Sequence, residues 1–418
     1  MKRLFAILLA LAILLSFAAC GENTTQQETT EATTQATEPT EKELTAEEKI
    51  LMERRDIVES YMRNAMTVLW RSTDEFEWTE GGATFRVEPG KLYRGIPYTY
   101  ASSTTEAFLD YAVGEPDENG IYTISGVQAT KEEGGDRLRR LGMDCSSALL
   151  QAWTLVSDTC TAGKSADMFQ KNGVIPVGDY VLDIQGDTMS ITGEVVLENG
   201  REKIIEAYTQ VQKGDAVVRV TGGSNHTRMV VDVVVEYKED GSIDQSKSYI
   251  TCLESTSTVF GTTYESEELG ETVHDFCGVD RKYPFSNLIR ENYIPVTCVE
   301  LVDASVEAAA EPVITDSETE FTKDTVLNGT LTTNKHMNAI TLTITNENGE
   351  QVQQAKIYHP KRYERRIFDM QVFVTETTEN KWGGVDLTAL ASGNYHCTVS
   401  VRFTNGQEAV AREFDFTV

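Results

Sequence analysis

The stretch "RLGMDCSSALLQAW", Arg140 to Trp153, decides how the first half of this 418-residue chain is read. Ala148, Leu149, Leu150, Ala152 and Trp153 form an amphipathic run that predicts a helix ending near Ser157. That helix opens with an acid, a thiol and two hydroxyls instead of an apolar turn. A thiol at a helix N-terminus feels the positive end of the macrodipole and the unpaired N–H groups of the first turn. Both favour the thiolate, and the same N–H groups can bind the oxyanion of a tetrahedral intermediate. A cysteine on the apolar face would gain neither. Cys145 is therefore a candidate nucleophile, against the ordinary expectation that a cysteine is a small buried hydrophobe.

A nucleophilic thiol needs a base. Of the five histidines, His336, His359 and His396 lie in a β-rich tail, leaving His226 and His274. His226 follows "GDAVVRVTGGSN" and opens the apolar strand "TRMVVDVVV", so a rigid strand can aim it into a cleft. His274, in "GETVHDFCG", is read as lying in a polar loop with no strand to hold it. His226 is the expected base.

The order "DCSS…GDAVV…H…MVVDVV" resembles the NlpC-type cell-wall cysteine peptidases, papain-like domains of bacterial surface proteins. The matching features are Asp144-Cys145-Ser146 opening a helix, Gly214-Asp215 before a strand, and His226 before Met229-Val230-Val231. A Pro-Tyr upstream, Pro97-Tyr98 in "GIPYTY", corresponds to the family's site-lining tyrosine. The resemblance spans roughly Tyr93 to Val302. Ser147 stands where glycine is usual, Tyr98 lies far upstream, and the stretch from Cys145 to His226 is long.

The resemblance implies an α+β papain-like fold, catalysis by Cys145 and His226 without a cofactor, and peptidoglycan stem peptides as substrate. Tyr98, Asp144 and Ser146 would touch that substrate. The third member would come from the strand after the His226 strand, "SYITCLESTST", where Glu254 is the candidate. Asp232 is excluded: six residues along His226's own strand put it roughly 20 Å away at about 3.3 Å per residue. The related CHAP amidases share the Cys-then-His order, so an amidase or acyltransferase is the rival enzyme reading. A surface-binding lipoprotein with a merely buried Cys145 is the non-enzymatic one.

Outward from this centre, "TAEEKILMERRDIVESYMRNAMTVLWRS" predicts a long helix. Thr45 and Glu48 form a capping box, and Ile50, Ile57, Tyr61, Ala65 and Val68 make its apolar stripe. A short helix is expected near Thr105–Tyr111. After Val174 the period changes to two in "YVLDI" and "GEVVLENG", with a helix near Lys203–Val211 and strands resuming at "GDAVVRV". The catalytic part is expected to span residues 45–302. "DASVEAAAEPVITDSE" makes 303–317 a linker by composition. The alternating strands and Gly/Asn turns of 318–418 predict an all-β, immunoglobulin-like sandwich.

At the start, Lys2, Arg3 and the apolar run Leu4–Leu15 read as a secretory signal, too short to span a membrane comfortably. Residues 1–20 end in "SFAAC", which resembles a bacterial lipobox with Cys20 as the lipidated residue; plain cleavage after Ala18 is the alternative. Residues 21–44, rich in Thr, Gln and Glu, cannot bury enough surface to fold and read as a tether. The expected location is the outer face of a bacterial membrane, held through lipid alone. Cys20→Ala should abolish fatty-acid labelling; equal labelling in the variant would contradict the anchor.

Formal net charge is −29, and two units more negative once Lys2 and Arg3 leave with the signal. Such a chain is a poor nucleic-acid binder, since little would neutralise phosphates. Beyond Cys20, the cysteines at 145, 160, 252, 277, 298 and 397 show no metal-type spacing, and no metal is expected. Mostly free thiols are anticipated, with Cys252–Cys277 the one bridge considered. The sequence leaves the oligomeric state open.

Overall fold

The computed structural model describes residues 44–418 except 81, 101–103, 128–129, 133–134, 138–141, 158, 161–163, 171–172, 183–189, 308–310, 317–329, 359–366, 370–384, 386 and 405. The signal, Cys20 and the tether to residue 43 lie outside the described residues. No helix among the described residues is long and apolar enough to cross a membrane.

Thr45 caps the helix Ala46–Thr67 as its sequence predicts. Its hydroxyl accepts the Glu48 N–H at 3.1 Å, and the Glu48 carboxylate accepts the Thr45 N–H at 2.7 Å. The buried face differs from the expected stripe: Val58, Met62, Ala65 and Met66 are inside, while Ile50 and Ile57 are 40 % and 42 % exposed. The cause is a pair of buried arginines. Arg54 donates to the carbonyls of Glu300 (2.8 Å), Asp303 (3.2 Å) and Val306 (2.7 Å). Arg55 donates to the carbonyls of Lys213 and Leu301 and to Asp215 at 2.8 Å. Satisfying two guanidinium groups turns the helix about its axis.

A six-stranded sheet carries the catalytic candidates. Its order is Cys277–Pro284, Tyr249–Ser255, Ser224–Val234, Ala216–Thr221, Ile294–Cys298, Val174–Pro176, with every neighbour antiparallel. The helix Cys145–Trp153 packs against it, every residue buried. Its Trp153 indole donates to the Gly214 carbonyl at 2.9 Å. Asp215, next in the Gly-Asp pair, accepts from Arg55, from the Thr297 hydroxyl (2.6 Å) and from the Gln212 N–H (2.7 Å). The motif is thus a hub joining the long helix, the Cys145 helix and the sheet.

Three local expectations fail. In "YVLDI" the described residues 180–182 form no strand. "GEVVLENG" is part of the helix Ile191–Asn199, not a strand. Thr192, Val195 and Val196 are buried whereas Leu197 is 77 % exposed, a helical spacing that the run of β-branched residues disguised. His274 does not sit in a loop. It lies on the strand Glu271–Asp275 of a second, five-stranded sheet, between Thr263–Ser266 and Leu92–Arg94. There it meets the Tyr93 ring, with centroids 5.5 Å apart.

Beyond residue 313 the chain is all β among the described residues but for one short turn at Leu387–Ala389. A three-stranded sheet (Ile314–Asp316, Thr330–Thr333, Ile367–Asp369) and a four-stranded sheet centred on Met337–Asn346 and Asn394–Phe403 share a core of their own, which includes Leu331, Ile340, Leu342, Val399 and Phe403. The architecture is therefore mixed α+β followed by a two-sheet β part. The stretch 303–317, read as a linker, is ordered at both ends. Arg54 holds the carbonyls of Asp303 and Val306, and Ile314–Asp316 is a strand paired with Thr330–Thr333.

The β part is fastened to the first part. Asp110, at the end of the short helix Thr105–Leu109, accepts both guanidinium nitrogens of Arg402 (3.0 and 2.5 Å) and the Lys356 ammonium (2.8 Å). Asn338 donates to the Thr104 hydroxyl that caps the same helix. A fragment beginning at Glu311 should fold more stably than one beginning at Glu318, which lacks the first strand. Equal urea midpoints would contradict this boundary.

Candidate active site

The Cys145 helix begins where the sequence reading places it. Asp144 is its N-cap; its carboxylate accepts the Ser147 N–H at 2.8 Å, and the Ser147 hydroxyl answers the Asp144 N–H at 2.9 Å. This reciprocal box fixes the first turn and so the direction of the Cys145 side chain. The serine standing where glycine is usual in the resemblance thus closes the cap. Ser146 donates to the same carboxylate at 3.0 Å. Both Asp144 and Ser146, expected to contact substrate, are buried at 4 % and 3 % exposure and turned into the cap. Their geometry serves to position the thiol.

Across from the thiol lies the strand Ser224–Val234. A two-residue turn at Gly222–Gly223, both with positive φ, folds it back on Ala216–Thr221 in the register His226↔Arg219. Cys145 and His226 lie close enough for each to shift the other's protonation, and the Thr227 main-chain N–H adds to the pull on the sulfur. His226 Nε2 lies 2.6 Å from Glu254 Oε2. With Nε2 so engaged, Nδ1 is left for the thiol. Glu254 belongs to the strand Tyr249–Ser255, adjacent to the His226 strand, and is 1 % exposed. Thiol, imidazole and carboxylate therefore form one chain, each member supplied by a different element.

Tyr98 is brought to the same place. Main-chain bonds join the two segments, Met143 N–H to the Pro97 carbonyl (3.1 Å) and Thr99 N–H to the Met143 carbonyl (3.4 Å). Gly142 permits the approach: a Cβ there would lie 1.8 Å from the Pro97 carbonyl oxygen. Burial, then the nearby Cys145 and Asp144, pushes the Tyr98 phenol well up, so it stays a neutral donor. The Ser255 hydroxyl donates to the Met143 carbonyl at 2.7 Å, tying the Glu254 strand to the start of the Cys145 helix.

The carboxylate clamp was not read from the sequence. Arg228 Nε donates to Glu254 Oε2 at 2.8 Å, Arg281 Nη1 donates to Oε1 at 3.2 Å, and the Tyr283 hydroxyl donates to Oε1 as well. The Arg228 guanidinium lies 3.7 Å from the Tyr283 ring centre and 4.3 Å from that of Tyr293. Arg228 stands two residues after His226, on the same face of its strand, so alternation could have found it. Gly278, opposite Glu254 in the sheet, is needed for space: a Cβ would lie 2.7 Å from Glu254 Cγ. Gly278→Ala should push the carboxylate off His226 and lower turnover with little change in KM. An unaltered kcat would show that the carboxylate adapts.

Electrostatics match the geometry. Burial alone would keep Cys145 protonated, but the charge and hydrogen bond of His226 outweigh it, and the thiol falls below its ordinary value. Burial likewise opposes the imidazolium, yet Cys145 and then Glu254 raise His226 to about 9. Glu254 is driven up by burial and brought down to about 2 by His226, Arg228 and Tyr283. A thiolate–imidazolium pair thus spans neutrality. Turnover should rise as Cys145 ionises on the acid side and fall as His226 loses its proton near pH 9. A kcat/KM profile still climbing above that pH would contradict the pair.

The remaining thiols lie elsewhere. Cys160, Cys252, Cys277, Cys298 and Cys397 are all free and buried. The bridge considered between Cys252 and Cys277 is not formed, because the register sets Cys277 opposite Ser255 and Cys252 opposite Arg281. His274 is on the other sheet and takes no part. No protein-family model matches the chain, and no curated protein matches it.

Proposed function

We propose that this chain is a cysteine hydrolase that cleaves an amide bond with Cys145 as nucleophile, His226 as general base and acid, and Glu254 as the orienting carboxylate. One observation carries the reading: an imidazole hydrogen-bonded to a buried carboxylate and electrostatically coupled to a thiol at a capped helix N-terminus. A structural cysteine needs none of these partners. The thiolate attacks the carbonyl carbon, and first-turn N–H groups not taken by the cap face the developing oxyanion, with the Tyr98 phenol as a further donor. His226 gives its proton to the departing amine. It then takes one from water, which attacks the thioester and releases the acid.

The papain-like assignment of the first part and the peptidoglycan stem peptide as substrate rest on the motif resemblance, and the immunoglobulin-like assignment of the β part rests on its strand and turn pattern. The site of action at the outer face of the membrane rests on the signal-like start, the lipobox-like "SFAAC" and the tether. In this reading the lipid at Cys20 and the acidic tether hold the enzyme beneath the wall, and the β part spaces the site or grips the wall.

Reactivity of the thiols tests the reading. Burial pushes Cys252, Cys277, Cys298 and Cys397 upward, the reverse of Cys145. Iodoacetamide at neutral pH should therefore modify Cys145 first in the folded protein. Labelling that waits for denaturant would favour the non-enzymatic lipoprotein, a reading supported by the 6 % exposure of Cys145. Mass spectrometry of fragments released from purified peptidoglycan then separates an endopeptidase from an amidase of the CHAP kind.

A further inference from the structure

A second cluster of reactive side chains lies outside the catalytic chain, where the segment after the Cys145 helix meets the end of the six-stranded sheet. Glu300, in the 3-10 turn Val299–Leu301, is 1 % exposed. Its Oε1 accepts from the hydroxyls of Ser157 at 2.7 Å and Thr159 at 3.0 Å. Its Oε2 is buried and has no hydrogen-bond partner among the described residues. A carboxylate oxygen is rarely buried without a donor or a cation, because its lost hydration is otherwise uncompensated. Beside it are Cys160 and Cys298, both fully buried. The ligand atoms of all three residues lie within 4.8 Å of one another.

That spacing suits one ion. Zinc takes thiolate sulfur at about 2.3 Å and carboxylate oxygen at about 2.0–2.2 Å in a tetrahedral set, so two thiolates on one ion stand about 3.8 Å apart. We propose that Cys160, Cys298 and Glu300 bind a single zinc ion, a water or another ligand completing the tetrahedral set. Two sulfur donors select against magnesium and calcium, which prefer all-oxygen sites. On binding, each thiol releases its proton to solvent, and the divalent ion meets two thiolates and one carboxylate. One net negative charge remains, close to the Arg54 guanidinium that donates to the Glu300 carbonyl at 2.8 Å. The ion would tie the segment following the nucleophile helix to the last strand of the sheet. Sequence spacing hides such a site, since Cys160 stands far from the Cys298-x-Glu300 pair.

The test uses the full-length chain carrying Cys145→Ser, so that the catalytic thiolate cannot hold the metal. Chelator-stripped, reduced protein is titrated with zinc chloride against a chromophoric chelator. One zinc per chain is expected. Adding Cys298→Ser or Glu300→Gln should weaken binding by roughly tenfold or more. Cobalt(II) should give a thiolate-to-metal charge-transfer band that Cys298→Ser removes. Circular dichroism checks that each variant is folded; should Glu300→Gln not fold, Cys298→Ser and the cobalt spectrum carry the test. Zinc binding no tighter than in a Cys160→Ser, Cys298→Ser double variant would overturn the site. So would an unreduced mass lighter by two hydrogens that maps to a Cys160–Cys298 disulfide.

Discussion

Cys145→Ser and His226→Ala should each reduce hydrolysis of peptidoglycan fragments to near background. A loss of roughly 10⁵- to 10⁶-fold is the scale for removing a nucleophile or its base from a unit of this kind. Glu254 moves no proton, so Glu254→Ala should retain more, with a loss of about 10²- to 10⁴-fold. From sequence, Glu254→Gln is expected well above Glu254→Ala, because an amide oxygen can still accept from the imidazole. The clamp narrows that gap. Glu254 accepts from His226, Arg228, Arg281 and Tyr283 together, and an amide has one oxygen and a donating nitrogen. The glutamine nitrogen would face other donors, and two guanidinium charges would lose their carboxylate. Glu254→Gln should therefore also lower the alkaline limb below pH 9, as the imidazolium loses its supporting charge. Because the three residues act as a unit, adding Glu254→Ala to Cys145→Ser should cost little more. His274→Ala should be near wild type. A dead His274→Ala beside an active His226→Ala would show the site to be misassigned.

Asp215→Ala should destabilise the fold by about 3–5 kcal/mol, the cost of leaving a buried charge without its partner. Arg55 would keep only the carbonyls of Lys213 and Leu301. Burial pushes the Asp215 carboxyl up although Arg55, Thr297 and Gln212 pull it down, so the pair contributes little beyond its own desolvation. Replacing both partners by apolar residues, Arg55→Met with Asp215→Leu, should therefore recover most of the loss. Urea unfolding of the three variants checks this. If Asp215→Ala stays within about 1 kcal/mol of wild type, the Gly-Asp pair is not the hub described above.

Local patterns carried much of the site. The capping box at Thr45, the helix opened by Asp144-Cys145 and the strand begun by His226 are each written in a few adjacent residues, because caps and apolar periodicity act over one or two turns. Glu254 was reachable as well, through the motif resemblance, which implies a polar residue on the strand after the His226 strand. Other readings went astray where a short window holds two answers. "GEVVLENG" has strand-like composition, and only the packing of Val195 and Val196 together makes it a helix. His274 seemed loose because its hairpin partner Thr263–Ser266 is mostly polar and its other partner, Leu92–Arg94, is distant in the chain.

What the sequence by itself determined is the setting of Cys145 at a helix start, the candidacy of His226 over His274, and the change from a mixed α+β part to an all-β part. Tertiary structure alone decided which residues surround the carboxylate and which fasten the two parts together. Arg281 and Tyr283 reach Glu254 only because a third strand pairs beside it, and Gly278 matters only because that pairing leaves no room for a Cβ. Arg402 finds Asp110, and Cys298 finds Cys160, across separations that no local periodicity spans. Local sequence sets which conformation a segment adopts. Which segments then meet is settled by burying their apolar faces at once and giving every buried charge a partner.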